Sequence, residues 1–444
     1  MGRSGVKSNY RKLFPDRLYL FLDVQNPKTC RASMHQAENV TRMTCFRRCI
    51  ASLCLLPMIA TGESTAEKGT TMPTESTMTY VLDKDGLVPQ PVVAIDQVCA
   101  WPNLTQLPDG TIIALIHNQP SHGQMPGDVD CWASEDEGKT WVKRSVAAPR
   151  ETPEQNRMNV AAGLTAQGDL ILITAGWSEP GNPDAEGKPM LGHTLQPWVC
   201  ISADAGRTWT IDKTSFPKGP DGRTLVPFGD IMTGKDGKLR VAAYRGPDDE
   251  AAQAAAKEKG DVLLKRASEG QNWVIRGDGY SWDEELVRIT HRSRHNETAI
   301  FHLGDGKWIA AARKSGLTLG KSDDDAKTWT LGEKLTENTC HPGHLTRLKD
   351  GTIMLTYGNR QKPADGHVNG QGVDVKFSND EGATWGKPFR LVDLSTGDSG
   401  YPSSVQLSDG RVLTVYYEGW NKARKYSMGS IIWDPEKTRE QSQP

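Results

Sequence analysis

An eight-residue signature recurs through the chain: SEDEGKTW at 134–141, SADAGRTW at 202–209, SDDDAKTW at 322–329 and SNDEGATW at 378–385. A tight motif copied at long intervals marks one supersecondary unit repeated along the sequence, which restricts the fold to arrays and propellers. In the pattern S-x-D-x-G-x-T-W, the Ser hydroxyl and Asp carboxylate can satisfy backbone N–H groups inside a turn. Gly takes the left-handed position and Trp wedges between adjacent sheets. The motif reads as a staple for a turn, because one carboxylate per turn supplies too few oxygens for a hard cation.

A second element alternates with the first: LPDGTIIALI (107–116), TAQGDLILIT (165–174), TGKDGKLRVAA (233–243), LGDGKWIAAAR (303–313), LKDGTIMLTYG (348–358) and LSDGRVLTVYY (407–417). Gly beside Asp between two apolar β runs predicts a hairpin, since both residues tolerate a positive φ. Another strand-like stretch precedes each turn. Five copies are followed by the eight-residue motif or by the degenerate ASEGQNW at 267–273, so that Trp141, Trp209, Trp273, Trp329 and Trp385 fall 56 to 68 residues apart. This spacing predicts four strands per copy and an all-β, six-bladed β-propeller. The sixth copy lacks the motif and ends in YSMGSIIWD (426–434), so an early strand, TYVLDKDG (79–86) or PVVAID (91–96), is needed to complete its sheet. Thirteen Trp and 44 Gly agree with that architecture. One stretch, DDEAAQAAAKEKG (248–260), reads instead as a short surface helix in a loop of the third blade.

A net charge of −2 with acids and bases interspersed excludes an electrostatic grip on nucleic acid or an anionic membrane. A neutral or small anionic ligand fits better. Cys30, Cys45, Cys49 and Cys54 precede the repeats, whereas Cys99, Cys131, Cys200 and Cys340 lie within them. Their spacing offers no metal site, and nothing calls for a cofactor. Buried thiols are expected, with Cys99 and Cys131 the first pair to consider should the protein be exported. In 43–66, Arg47 and Arg48 precede an apolar run from Ile50 to Ala60 and then small residues, the grammar of a signal peptide. Synthesis is then expected to start at Met43, with residues 1–42 a mis-assigned start, a disordered linker at 67–78, and the propeller at 79–444. Secretion or export to a periplasm follows, without stable membrane insertion, because no later run reaches about 18 apolar residues.

The first strand of each propeller blade lines the axis, so polar residues at the starts of those strands converge from distant positions. These segments are CAWPNLTQL (99–107), NRMNVAAGL (156–164), VPFGDIMTG (226–234), HNETAIFHL (295–303), CHPGHLTRL (340–348) and GYPSSVQL (400–407). They single out Arg157, Asp230, Glu297, His341, His344 and Tyr401.

On these motifs the chain resembles the sialidase (neuraminidase) superfamily of BNR, or Asp-box, propellers across roughly residues 90–434. The resemblance implies Tyr401 as nucleophile and Glu297 as its base, with Arg313, sixteen residues beyond Glu297, and Arg360 of YGNR holding a sugar carboxylate. It implies the acid/base carboxylate in SHGQMPGDVDCW (121–132), as Asp128 with Asp130 in reserve. A phenol suits a sugar whose anomeric carbon bears a carboxylate, because a carboxylate nucleophile would be repelled. Forked guanidinium groups suit the carboxylate itself. Where the family has an Arg-Ile-Pro segment, this chain has CAWPNL, without an arginine. Either Arg157 substitutes, or the ligand is another acidic sugar, toward which His122, His341 and His344 point. The expected function is an exported, retaining exo-α-sialidase-like glycoside hydrolase. The alternatives are a hydrolase or lyase for another acidic sugar and a non-catalytic glycan-binding propeller. The sugar, its linkage and the oligomeric state are left open.

Overall fold

The computed structural model describes residues 75–77 and 91–442, apart from 179–192, 221, 246–270, 284, 291–294, 362–369, 396 and 420–424. The expected signal peptide (43–66), the strand at 79–86, the helix at 248–260 and the cysteines at 30, 45, 49 and 54 lie outside the described residues.

Antiparallel four-stranded meanders follow one another along the chain, and all six hairpins expected from the Gly-containing turns are present. The first sheet gains a fifth strand, Glu75–Thr77, paired with Thr140–Val142, so this part of the expected disordered linker at 67–78 is strand. Their first strands are Cys99–Gln106, Gln155–Leu164, Leu225–Thr233, Thr298–Gly304, Cys340–Arg347 and Gly400–Gln406. Asp109, Asp236, Asp350 and Asp409 each accept a backbone N–H two residues on, which fixes the turns that Gly110, Gly237, Gly351 and Gly410 complete at positive φ. The second and third meanders merge into one eight-stranded sheet, where Gly229–Ile231 runs parallel to Ala161–Gly163. Each first strand packs against the first strand of the next meander, and Gly400–Gln406 packs back against Cys99–Gln106. The arrangement is propeller-type. The last meander supplies only three strands after Gly400. Its fourth is Val92–Asp96, which pairs antiparallel with Tyr426–Trp433.

The repeated motif does what its chemistry predicts. At each full copy the Ser hydroxyl bonds the Asp and accepts a backbone N–H, while the Asp accepts both the N–H and the hydroxyl of the Thr. In the first copy these distances are 2.8, 2.7, 2.8 and 2.7 Å, and the set recurs at 202–208, 322–328 and 378–384. The motif's tryptophans then stitch neighbouring meanders together. Trp141, fully buried, packs among Leu407, Leu413 and Ile432 of the last meander. Trp209 reaches the first and Trp329 the third. Burying a ring of this size removes about 150–250 Å² from water, or roughly 4–6 kcal/mol at about 25 cal/mol per Å².

The third copy departs from expectation. Trp273 is buried on the third strand of its meander, Asn272–Gly277, paired with Ala243, whereas the motif's tryptophans sit at the start of fourth strands. The equivalent ring is Trp282. It follows the Asp278 turn, whose carboxylate accepts the Tyr280 and Ser281 N–H groups, and it packs edge-on to Phe216 of the preceding meander. Even spacing favours Trp273, but both rings are buried in the same core cluster, and only Trp282 follows the turn as the motif's tryptophans do. Cys131, Cys200 and Cys340 are buried free thiols, pushed up to about 12 by burial, so a Cys99–Cys131 bridge is not formed. No helix among the described residues is long and apolar enough to cross a membrane.

Candidate active site

The starts of the first strands are irregular. Register breaks fall between Cys99 and Asn103, Arg157 and Asn159, Phe228 and Met232, Cys340 and Gly343, and Gly400 and Ser403. A bulge bends a strand and re-aims the side chains beside it. Tyr401 sits in such a break with φ of 50°, after Gly400 at φ of 97°. The approach is close: a Cβ on Gly400 would lie 3.0 Å from the Gly358 Cα. Two glycines thus let the strand carrying Arg360 pass next to the strand carrying Tyr401.

Glu297 and Arg313 face each other across the open end of one hairpin, tied by the bond from Asn296 N to Arg313 O at 3.0 Å. Their side chains form an ion pair that is mostly buried. The Tyr401 hydroxyl lies 2.9 Å from both carboxylate oxygens of Glu297 and accepts a bond from Arg313 Nη1 at 2.8 Å. A phenol so placed has a proton acceptor in contact and a cation to stabilise its oxygen as charge develops. Arg360 lies over the Tyr401 ring, 5.2 Å from its centroid, and donates from Nη2 to Ser399 O at 3.1 Å. Burial, with Arg313 and Arg360 nearby, lowers the His341 imidazole to about 3 and keeps it neutral. Arg313 Nε, Arg360 Nε and His341 Nδ1 are buried without a hydrogen-bond partner among the described residues. Buried polar groups are normally paired, so orphans gathered at one place await a ligand or water.

Trp101 stacks on Tyr401 with centroids 5.0 Å apart and planes at 29°. It belongs to the CAWPNL segment, from which the expected arginine is missing. The two rings line a small cavity of about 20 Å³ together with Asn103, Phe228, His344 and Ser403 among others. There His344 Nε2 bonds Asp230 Oδ2 at 3.1 Å, so both expected residues belong to this axial network rather than to the arginine pair.

Arg157 is not brought into the cluster. Its guanidinium lies 3.7 Å over Trp198 and donates to Gln196 O at 2.8 Å, and burial lowers it to about 10. Asp128 is engaged on both oxygens. Oδ1 accepts Arg150 N at 2.8 Å, and Oδ2 pairs with Arg150 Nη1 at 2.7 Å and accepts from Asn118. Asp130 pairs with Lys143 at 2.7 Å; burial raises its carboxyl above the ordinary value although Lys143 opposes this.

The sequence reading missed Asp398. Its carboxylate accepts the hydroxyls of Tyr417 and Tyr426, each at 2.7 Å, and stands 3.5 Å from His122 Nδ1. Burial would raise it, but His122 and the two phenols hold it well below the usual carboxylate range. Its position three residues before Tyr401 was the one available signal.

The family described as BNR repeat-like domain matches residues 110–414, and the chain belongs to it, within the sialidase and BNR-repeat superfamily. A protein of unknown function from Dyadobacter fermentans DSM 18053 superimposes with a TM-score of 0.61 at 20% identity, covering 82% of this chain and 100% of that one. The Hadza microbial sialidase Hz136 gives 0.58 at 16%, covering 79% and 69%. Trypanosoma rangeli sialidase, in complex with 2,3-difluorosialic acid as a covalent intermediate, gives 0.53 at 16%, covering 84% and 60%. At these identities the likeness carries the fold alone.

Proposed function

We propose that the chain is a retaining exo-glycosidase of the sialidase type, built on a six-bladed ring and acting on a sugar with a carboxylate at its anomeric carbon. One observation carries the reading: the Tyr401 hydroxyl in contact with both oxygens of Glu297 and with Arg313. Glu297 takes the phenol proton as Tyr401 attacks the anomeric carbon, and a donor on the 118–128 loop protonates the leaving oxygen. Water then attacks the glycosyl-tyrosine, the loop group takes the water's proton, and Glu297 returns its own to Tyr401. Arg313, Arg360 and the neutral His341 hold the substrate carboxylate through their unpartnered N–H groups. The six-bladed count is supported by the succession of first strands and by Val92–Asp96 completing the last sheet.

The test is Tyr401→Phe assayed on 4-methylumbelliferyl sialoside, together with mass spectrometry of the wild type after 2,3-difluorosialic acid. Loss of turnover and a covalent label on Tyr401 are expected; full activity in the variant would overturn the nucleophile. A second reading, a uronide hydrolase or lyase, is favoured by the absence of an arginine from the CAWPNL segment, whose Trp101 stacks on Tyr401. Unsaturated products absorbing in the ultraviolet would select the lyase. We also propose export directed by 43–66, checked by N-terminal sequencing of the mature protein.

A further inference from the structure

The geometry points to His122, oriented by Asp398, as the group that exchanges a proton with the glycosidic oxygen, in place of Asp128. The inference rests on the retaining reading above and assigns the donor which that reading leaves open on the 118–128 loop.

His122 and Tyr401 flank the same ring. Trp101 stacks on Tyr401 at 5.0 Å and receives the His122 edge at 5.5 Å and 85°. A second connection runs from Tyr401 to the Tyr417 ring at 5.5 Å, from Tyr417 OH to Asp398 Oδ1 at 2.7 Å, and from Asp398 Oδ2 to His122 Nδ1 at 3.5 Å. The turn that carries His122 is pinned on both sides. Tyr426 N donates to Pro120 O at 2.9 Å, Gln124 N to Ser121 O at 3.1 Å, and Asn156 Nδ2 to Gly123 O at 3.0 Å. Asp398 is itself held by two phenols, so the carboxylate that engages Nδ1 is fixed before substrate arrives. Nε2 makes no hydrogen bond among the described residues, and the side chain is 26% exposed. The charged and titratable groups around the imidazole are Asp398 with Tyr417 and Tyr426, and His117 on the second strand of the first meander. Asp128, by contrast, has both oxygens taken up by Arg150 and Asn118.

The step balances. As the anomeric carbon–oxygen bond breaks and the bond to Tyr401 forms, the Nε2 proton of the imidazolium passes to the departing oxygen, and the phenol proton passes to Glu297. In the second half, water attacks the anomeric carbon, its proton returns to Nε2, and the Tyr401 oxygen leaves and recovers its proton from Glu297. Nδ1–H stays with Asp398 throughout.

The test compares wild type, His122→Ala, His122→Asn and Asp128→Asn on three probes. They are sialyllactose, whose leaving alcohol needs a proton, 4-methylumbelliferyl sialoside, which needs it less, and 2,3-difluorosialic acid, whose fluoride needs none. The expected loss for both His122 variants is about 10²–10⁴-fold on sialyllactose. Tyr401 should still be labelled within about tenfold of the wild-type rate, and added imidazole should restore part of the sialyllactose activity to His122→Ala. Any loss in Asp128→Asn should be equal for the two glycosides. Equal loss across leaving groups in the His122 variants, or a leaving-group dependence that follows Asp128, overturns the assignment while the labelled Tyr401 keeps the retaining reading. Absence of label on Tyr401 in every protein, wild type included, removes that reading and this one with it.

Discussion

Glu297→Gln separates the two duties of this carboxylate. The substitution keeps the side-chain volume and an acceptor oxygen for the Tyr401 hydroxyl, but removes the charge paired with Arg313. Losing a positioned base costs about 10²–10⁴ in rate, or about 3–5 kcal/mol at ~1.4 kcal/mol per tenfold. The guanidinium of Arg313, only 16% exposed, meanwhile loses its neutralising partner and offers its whole charge to an anionic sugar. KM for a sialoside should therefore hold or fall, by up to about tenfold, while kcat collapses. The unpaired cation also weakens the fold, by up to about 3 kcal/mol, a drop of a few degrees in Tm. Steady-state kinetics and thermal melts on the same preparation read all three quantities. A kcat within tenfold of wild type, or a KM that rises as kcat falls, would refute the reasoning.

Three further outcomes follow from the geometry. His117 is fully buried, donates Nδ1–H to Arg157 O at 3.0 Å, and is pushed down to about 4 by burial. Below about 6.5 the unfolded chain therefore takes up a proton that the folded one refuses, and stability present above that pH is lost as pH falls toward 4, by about 3 kcal/mol. Melts across this window should show the decline, and His117→Gln should flatten it. Gly400→Ala forces a side chain onto a backbone at φ of 97° and against the Gly358 Cα. It should cost about 1–3 kcal/mol and lower kcat through displacement of Tyr401, read by melts and kinetics together. Cys131, Cys200 and Cys340, buried and raised to about 12, should resist thiol reagents in the native protein and react after denaturation, as peptide mapping would reveal.

Local chemistry explains which features could be read from sequence. Turns at Gly110 or Gly351 depend on residues within the turn, so the hairpins were legible, and so were the motif's hydrogen bonds. Glu297 was legible at the start of a first strand, whereas Arg313 came through the family resemblance, although one hairpin holds both. The rest depended on packing between strands that do not adjoin in sequence. The Arg157 guanidinium is drawn to Trp198, two strands away in its own sheet, and no spacing rule announces that. Trp282 displaces Trp273 because the third copy differs in length on either side of its turn. His122 and Asp398 meet only because the first and last meanders are neighbours.

Val92–Asp96 adds a further tie to that neighbourhood. Asp96 Oδ1 accepts the Ser427 hydroxyl from 331 residues away, at the point where a segment ahead of the first meander docks on the last one. A nascent chain cannot complete this sheet until residues past 433 have emerged. A chain clipped behind Asp96 leaves the outer edge of Tyr426–Trp433 with a row of unsatisfied amides and carbonyls, a ready template for a strand lent by a second molecule. Limited proteolysis at this seam would turn intramolecular closure into exchange between molecules.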